Sequence, residues 1–488
     1  MPIIQSRRRF LTTAASALAL GGVSSLLPAT ARRAPASEAQ SARLIVERRT
    51  LEVLGKPASV FGIRRPDGTS GLFLDPGQRF LVDLENRGGE DTIIHWHGMT
   101  PPYAQDGVVD ANRPVAAAGA VQRYDFEART GTHWMHSHHG LQEQLLMAAP
   151  LIVRSAADKR ADEQEVTILL HDFTFKDPAE VLAALTGGAG MAHGGHGGHG
   201  GHSGHGAPAA GASPGAPMDL NDVEYDAYLA NDRTLDDPQL IRVERGGRVR
   251  LRLINGATST AFHIDLGGLS GTVVAADGNP VQPVTGNRFG MVMGQRLDIL
   301  LQLPSDAGAY PILAQREGDR RRTGIILATP GAAVAKVSGM AGAAAGPVDL
   351  SLEQRLAAVE PLAARPTDAR FTVRLTGTMK PYVCTIDDRP FGRHTPLAVT
   401  KGQRVVVEMV NATDMAHPMH LHGHHFQVVA LNGTRVAGAV RDTVLVPVRG
   451  SATIAFDAES PGRWPLHCHN LLHMATGMMT EVVCDPTT

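Results

Sequence analysis

Near the end of the chain stands His467-Cys468-His469-Asn470-Leu471-Leu472-His473-Met474-Ala475-Thr476-Gly477-Met478-Met479, and its first three residues decide how the rest is read. On a β-strand successive side chains point to opposite faces, so His467 and His469 share one side and Cys468 takes the other. One short peptide thus reaches two places. With Cys468, the nearby His473 and Met478 supply a thiolate, an imidazole and a thioether, the donors of a blue-copper electron-transfer centre. The two imidazoles on the other face need partners. Adding two side-chain lengths of roughly 6 Å puts the two places about 12 Å apart across the pleat, a short covalent route for an electron.

The partners lie upstream. His95-Trp96-His97-Gly98, His136-Ser137-His138 and His420-Leu421-His422 are three further HxH pairs, and His417 precedes the last of them. Each pair puts both rings on one face if its segment is a strand. In chain order, HWHG, HSH, HPMHLHG and HCHNLLHMATGMM resemble the four copper motifs of the multicopper oxidases. The resemblance runs from about residue 44 to 485 and rests on ten histidines, one cysteine and one methionine at family spacing. It implies four copper ions. His417, Cys468, His473 and axial Met478 would hold a type 1 copper, and His95 and His420 a type 2 copper. His97, His136, His138, His422, His467 and His469 would hold a type 3 pair. The residues alone give this grouping but not which imidazole takes which copper of the second site. Four HxH pairs from two regions of the chain put that site where the regions meet.

Dioxygen reduced to water takes four electrons, and one carrier beside three coppers holds all four in one molecule. Eight neutral imidazoles bring no negative charge, so the cluster needs bridging hydroxide or oxide and a proton source. Asp106, nine residues after His97 in the turn YAQDGVVD, matches the carboxylate that the family keeps behind its histidines. Some relatives place a glutamate after the last type 1 histidine; here it is Met474, as in copper-resistance oxidases. The run after HSH (His139-Gly140-Leu141-Gln142-Glu143-Gln144) and VVAADGNPVQPV resemble those enzymes too. Asp414 and Met415, just before His417, are candidate substrate residues, a hard and soft pair able to hold Cu(I) briefly. Copper-efflux oxidases have a similar Asp-Met pair one residue further from the histidine, and laccases use an acidic residue to accept a phenol's proton.

The resemblance therefore implies an enzyme that takes single electrons from phenolic or aromatic reductants (laccase activity) or from Cu(I), with Fe(II) behind, and gives them to dioxygen. A periplasmic role in copper tolerance follows. The alternative is a periplasmic copper-sequestering protein without oxidase turnover, which would need no intact type 1 set. A two-domain copper nitrite reductase would lack the bridging HCH and a third repeat.

At 488 residues the chain exceeds a single core, and a net charge of -2 favours no polyanion, so no nucleic-acid partner is expected. Gly and Pro are plentiful and helical periodicity is scarce, which favours an all-β chain of three consecutive cupredoxin-like Greek-key sandwiches. Residues 1–31 read as a leader for the twin-arginine export machinery. Ser6-Arg7-Arg8-Arg9-Phe10-Leu11 is followed by a weakly apolar run and the Ala29-Thr30-Ala31 cleavage site. The expected location is periplasmic, with no stable membrane insertion after cleavage. Domains are expected at 44–157, 163–328 and 368–485. The turn-and-strand phrases GQRFLVDLENRGG, GGRVRLRLINGA and KGQRVVVEMVNATD repeat once in each. The middle copy carries no copper motif and reads as spacer and packing.

A Gly-rich insert at 185–218 interrupts the middle domain. His193, His196, His199, His202 and His205 recur in it every third residue, a set that could collect copper weakly or do nothing selected. Residues 329–367 form an Ala/Gly/Pro-rich linker with a short helix near Leu352–Val359. Apart from Cys468, Cys384 and Cys484 read as lying on the first and last strands of domain three, where a disulfide and two buried thiols are both open.

Overall fold

In strand Phe80–Arg87 the residues Phe80, Val82, Leu84 and Asn86 are buried and those between them are partly exposed, the period-two pattern of a sheet with one wet face. The strand runs parallel to Ala42–Val53 and antiparallel to Val121–Phe126. Its counterparts in the other two repeats, Arg248–Asn255 and Arg404–Asn411, likewise run parallel to the first strand of their own region, Gln164–Phe173 and Ala369–Met379. The repeat extends to one side chain. Asn86, Asn255 and Asn411 are all buried, and each accepts through Oδ1 from the backbone N–H two residues on. Each amide also donates to two carbonyls of neighbouring loops. A buried amide so satisfied fixes the loop after the strand.

The computed structural model describes residues 41–108, 115–187 and 220–485. The expected leader and the five histidines of the insert lie outside the described residues. From Ser41 onward the chain is one compact unit, built from three two-sheet sandwiches. The sheets have four and four, six and five, and seven and five strands in turn. Each sandwich closes on its own apolar core, with Phe80, Trp96 and Tyr124 in the first, Tyr228, Phe262 and Phe289 in the second, and Phe426, Phe456 and Trp464 in the third. No helix among the described residues is long and apolar enough to cross a membrane.

Two local expectations change. The linker carries only a 3-10 turn, Glu353–Arg355, because Ala358 is drawn into a β-bridge with Val281 before a helix can continue. It is no loose tether, since Leu352 and Leu356 join the second core while Val348 and Leu350 join the third. Cys384 lies on the second strand of the third sandwich, Tyr382–Ile386, because the first turns back at Lys380-Pro381. Cys484 lies on the last strand, in the other sheet, and both are free, buried thiols. Burial pushes the Cys384 thiol up to about 12. Metal-free protein denatured without reductant should therefore titrate with three thiols per chain; one thiol would mean that Cys384 and Cys484 are bridged.

Candidate metal centre

Strand Gly462–Cys468 pairs antiparallel with His417–Leu421, with Met419 opposite Cys468 and His420 opposite His467. Opposed residues in an antiparallel pair point to the same face. Both strands are therefore sorted alike. His417, Met419 and Cys468 face one way; His420, His422, His467 and His469 face the other. The alternation that governs one peptide governs its neighbour.

On the first face, His473 is delivered by the short helix Leu471–Ala475, whose N-cap Asn470 accepts from the N–H groups of Leu472 and His473. The Cys468 Sγ lies 3.7 Å from His417 Nδ1 and 3.5 Å from His473 Nδ1, and the two nitrogens are 3.1 Å apart. Met478 is wholly buried, and its backbone ties the loop shut through bonds to Cys468 N and His473 O. The outer nitrogen of His417, Nε2, bonds Thr413 Oγ1 at 2.7 Å, and Asp222 Oδ2 lies 3.3 Å from His473 Nε2. Burial and the neighbouring His473 push His417 well below the usual imidazole range, and burial pushes the Cys468 thiol well above its usual value. A metal bound here must displace the thiol proton.

On the second face eight imidazoles converge from two sandwiches. Strand Ile94–His95 pairs with Gly131–Ser137, setting His95 opposite His136. The HxH pair of the first sandwich interleaves with that of the third. His95 stacks on His422 and His97 on His420, each at 3.8 Å between centroids. His95 Nε2 faces His420 Nε2 at 3.5 Å, and His422 Nε2 faces His467 Nε2 at 3.0 Å, with His138 completing that second group. His97, His136 and His469 form a third group, with ring centroids 5.0–5.7 Å apart. Among the described residues, His97 Nδ1, the Nε2 atoms of His136 and His138, and both ring nitrogens of His469 have no hydrogen-bond partner. Burial pushes His95, His97, His422, His467 and His469 well below their usual range and His138 down to about 3. Buried neutral rings with lone pairs turned on one another fit a bound copper cluster, the donor set this metal favours.

Carboxylates stand behind the rings, where they fix tautomers. Asp106 accepts from His422 Nδ1 through Oδ2 at 2.7 Å and from His95 Nδ1 through its carbonyl at 2.9 Å, so it holds one ligand ring from each sandwich. Gly107 makes this approach possible. Its φ is +87°, and a Cβ there would lie 1.9 Å from the Ile94 carbonyl oxygen. Glu143 holds His136 Nδ1 at 2.9 Å, and Asp442 holds His97 Nε2 at 3.1 Å. His467 Nδ1 bonds the carbonyl of Cys468, which links the two faces directly.

Sequence reasoning missed Asp222, Asp442 and the role of Glu143. Asp222 follows the Gly-rich insert in a stretch with no motif, and only tertiary packing brings it to His473. Asp414, by contrast, turns outward, half exposed, into an ion pair with Arg449. Met415 is buried, with its carbonyl bonded to Asn411 and Thr413.

Three family models described as multicopper oxidase match residues 47–158, 164–336 and 365–488. Among curated proteins, multicopper oxidase MmcO of Mycobacterium tuberculosis is 31% identical over 83% of this chain and 79% of its own length. A copper resistance protein A homolog of Pseudomonas syringae is 26% identical over 83% of this chain and 86% of its own. Among solved structures, Fet3p, a multicopper oxidase that functions in iron import, superposes with a TM-score of 0.74 at 16% identity, covering 91% of this chain and 90% of that one. A laccase from Botrytis aclada superposes with a TM-score of 0.72 at 23% identity, covering 91% and 87%. The all-β fold of three cupredoxin-like sandwiches agrees with these likenesses.

Cys468→Ser should abolish the intense visible absorption of copper-loaded protein while cooperative unfolding persists. A serine variant that kept the band would remove Cys468 from the metal.

Proposed function

We propose a function from one premise: the chain belongs to the multicopper oxidase family, and is a copper-dependent oxidoreductase with dioxygen as acceptor. It oxidises phenolic or aromatic reductants or Cu(I) one electron at a time and serves copper tolerance in the periplasm, after export by the twin-arginine route. Bound copper supplies the one-electron acceptor beside Cys468 and the site of four-electron dioxygen reduction among the eight imidazoles, four ions in all. The observation that carries this reading is the shared strand. Cys468 and its flanking histidines face two donor sets and are joined by one covalent path and by the His467 to Cys468 hydrogen bond. The copper-resistance and laccase relatives support the substrate classes.

In this reading the protein's own groups do three things. His417, Cys468, His473 and Met478 take the type 1 ion, with Thr413 and Asp222 fixing the two rings from outside. His95 and His420 take the type 2 ion, and His97, His136, His138, His422, His467 and His469 the type 3 pair. Asp106 passes protons toward the reduced oxygen, for which its place between His95 and His422 suits it. Asp414 and Met415 sit at the reductant side, on the loop that Asn411 ties ahead of His417.

Oxygen uptake by copper-loaded protein tests the reading. Catalytic uptake with Cu(I) or a phenol is expected, and stoichiometric copper binding without turnover would make the protein a sequestering one instead. Asp106→Asn should slow reoxidation of reduced protein while sparing reduction at the type 1 site; stopped-flow traces equal to the parent's would remove its proton role. Asp414→Ala should raise the Michaelis constant for Cu(I) or a phenol several-fold but spare an outer-sphere reductant. A uniform change across reductants would mean only that the loop was disturbed.

A further inference from the structure

The middle sandwich supplies none of the family ligands, yet one of its side chains touches all three sandwiches beside the cluster. Arg296, wholly buried, donates from Nε to the Thr132 carbonyl of the first sandwich and from Nη1 to the Gly294 carbonyl of its own. Its two terminal nitrogens clasp both carboxylate oxygens of Asp442 in the third, at 2.7 and 2.5 Å. Asp442 in turn accepts from His97 Nε2 through Oδ1, and its carbonyl accepts from His420 Nδ1 at 2.9 Å. Those two rings are a stacked pair, 13° from parallel.

His97 is held by its carboxylate from the opposite nitrogen to its neighbours. His95, His136, His420, His422 and His467 engage a partner through Nδ1, whereas His97 is engaged through Nε2 and turns Nδ1 inward. A neutral imidazole keeps its proton on the nitrogen that faces an acceptor. The tautomer His97 needs is therefore the one Asp442 imposes. Asp442 can impose it only while its carboxylate is held in one plane against the ring, and a two-point guanidinium clasp fixes that plane.

The surrounding glycines make room for this arrangement. A Cβ on Gly98, the glycine of HWHG, would lie 2.4 Å from Arg296 Nη2. A Cβ on Gly294 would lie 2.8 Å from the His469 ring and 3.2 Å from that of His97. The loop that carries Arg296 thus abuts two cluster imidazoles directly.

We propose that Arg296 is a positioning residue of the dioxygen-reducing site: acting through Asp442, it sets the His97 tautomer and holds the His97–His420 pair in register for copper. The middle sandwich then governs a site to which it gives no ligand, a larger part than spacer and packing. The inference rests on the copper assignment above. Wild-type protein that binds no copper would defeat that assignment, whereas a copper-loaded wild type whose variants behave as the parent would defeat this one alone.

The test compares copper-loaded wild type with Arg296→Gln, Arg296→Lys and Asp442→Asn. The type 1 ligands all lie in the third sandwich, so the intense visible band reports folding independently. The expected result is a retained visible band with type 2 and type 3 copper held about tenfold to a hundredfold more weakly against a chelator, the usual cost of losing a partner behind a ligating histidine. The type 2 resonance and the near-ultraviolet band of the coupled pair should change with it. Adding His97→Ala to each variant should lower affinity little further, because both act through one ring. Full copper content with unchanged signatures overturns the proposal, as does a loss additive with His97→Ala. If Arg296→Gln fails to fold, Arg296→Lys and Asp442→Asn decide on the same readouts.

Discussion

Eight imidazoles crowded together, four of them with nitrogens 3.0–3.5 Å from those of a neighbour, are a liability to the metal-free chain, and the fold is arranged to bear it. A ring nitrogen buried here without a partner gives up hydration for nothing, at a cost of about 1–3 kcal/mol per unsatisfied group. Over the five unpartnered nitrogens that sum rivals a typical total stability of about 5–15 kcal/mol. Copper binding repays it, so the donors are pre-aimed and the energy of aiming them comes from elsewhere. It comes from three apolar cores and from partners on the outer nitrogens, carboxylates for His97, His136 and His422 and backbone carbonyls for His95, His420 and His467.

What could be read from the sequence is what a local period encodes. Strand alternation sorts His467, Cys468 and His469 onto two faces, and the same rule sorts His420 and His422 from His417. Motif order and spacing therefore give the ligand groups, and the turn-and-strand repeat gives three sandwiches. Asp106 could be found because its offset from His97 matches a carboxylate of the family that the motifs resemble, with Gly107 marking the turn. Asp222, Arg296 and Asp442 could not, since each reaches its ring only through packing between sandwiches that no spacing records. The linker helix failed for a related reason. Its local propensity was sound, but Ala358 found a β-partner in Val281, and tertiary pairing outweighed it.

The ion pairs between sandwiches continue beyond Arg296. Asp277 accepts from the Arg296 backbone and from Arg441 Nε, and Arg441 also pairs with Glu353 of the linker. Buried pairs of this kind contribute little net stability compared with apolar packing, but breaking one costs about 3–5 kcal/mol, because the surviving charge is stranded. That asymmetry suits a joint more than a glue. The sandwiches gain little by being charged where they meet, yet they lose much if they meet in any other register.

A joint of this kind answers why a ligand-free repeat persists between two ligand-bearing ones. The cage needs the first and third sandwiches to approach within the reach of an imidazole, with the HxH pair of one interleaved in that of the other at 3.8 Å. Apolar contact alone is non-directional and tolerates small slips. A slip of an ångström would misaim several nitrogens at once. Directional contacts from a third body, anchored to Thr132 on one side and Asp442 on the other, remove that freedom. The middle sandwich is thus fitted to the geometry of a site whose chemistry it never touches.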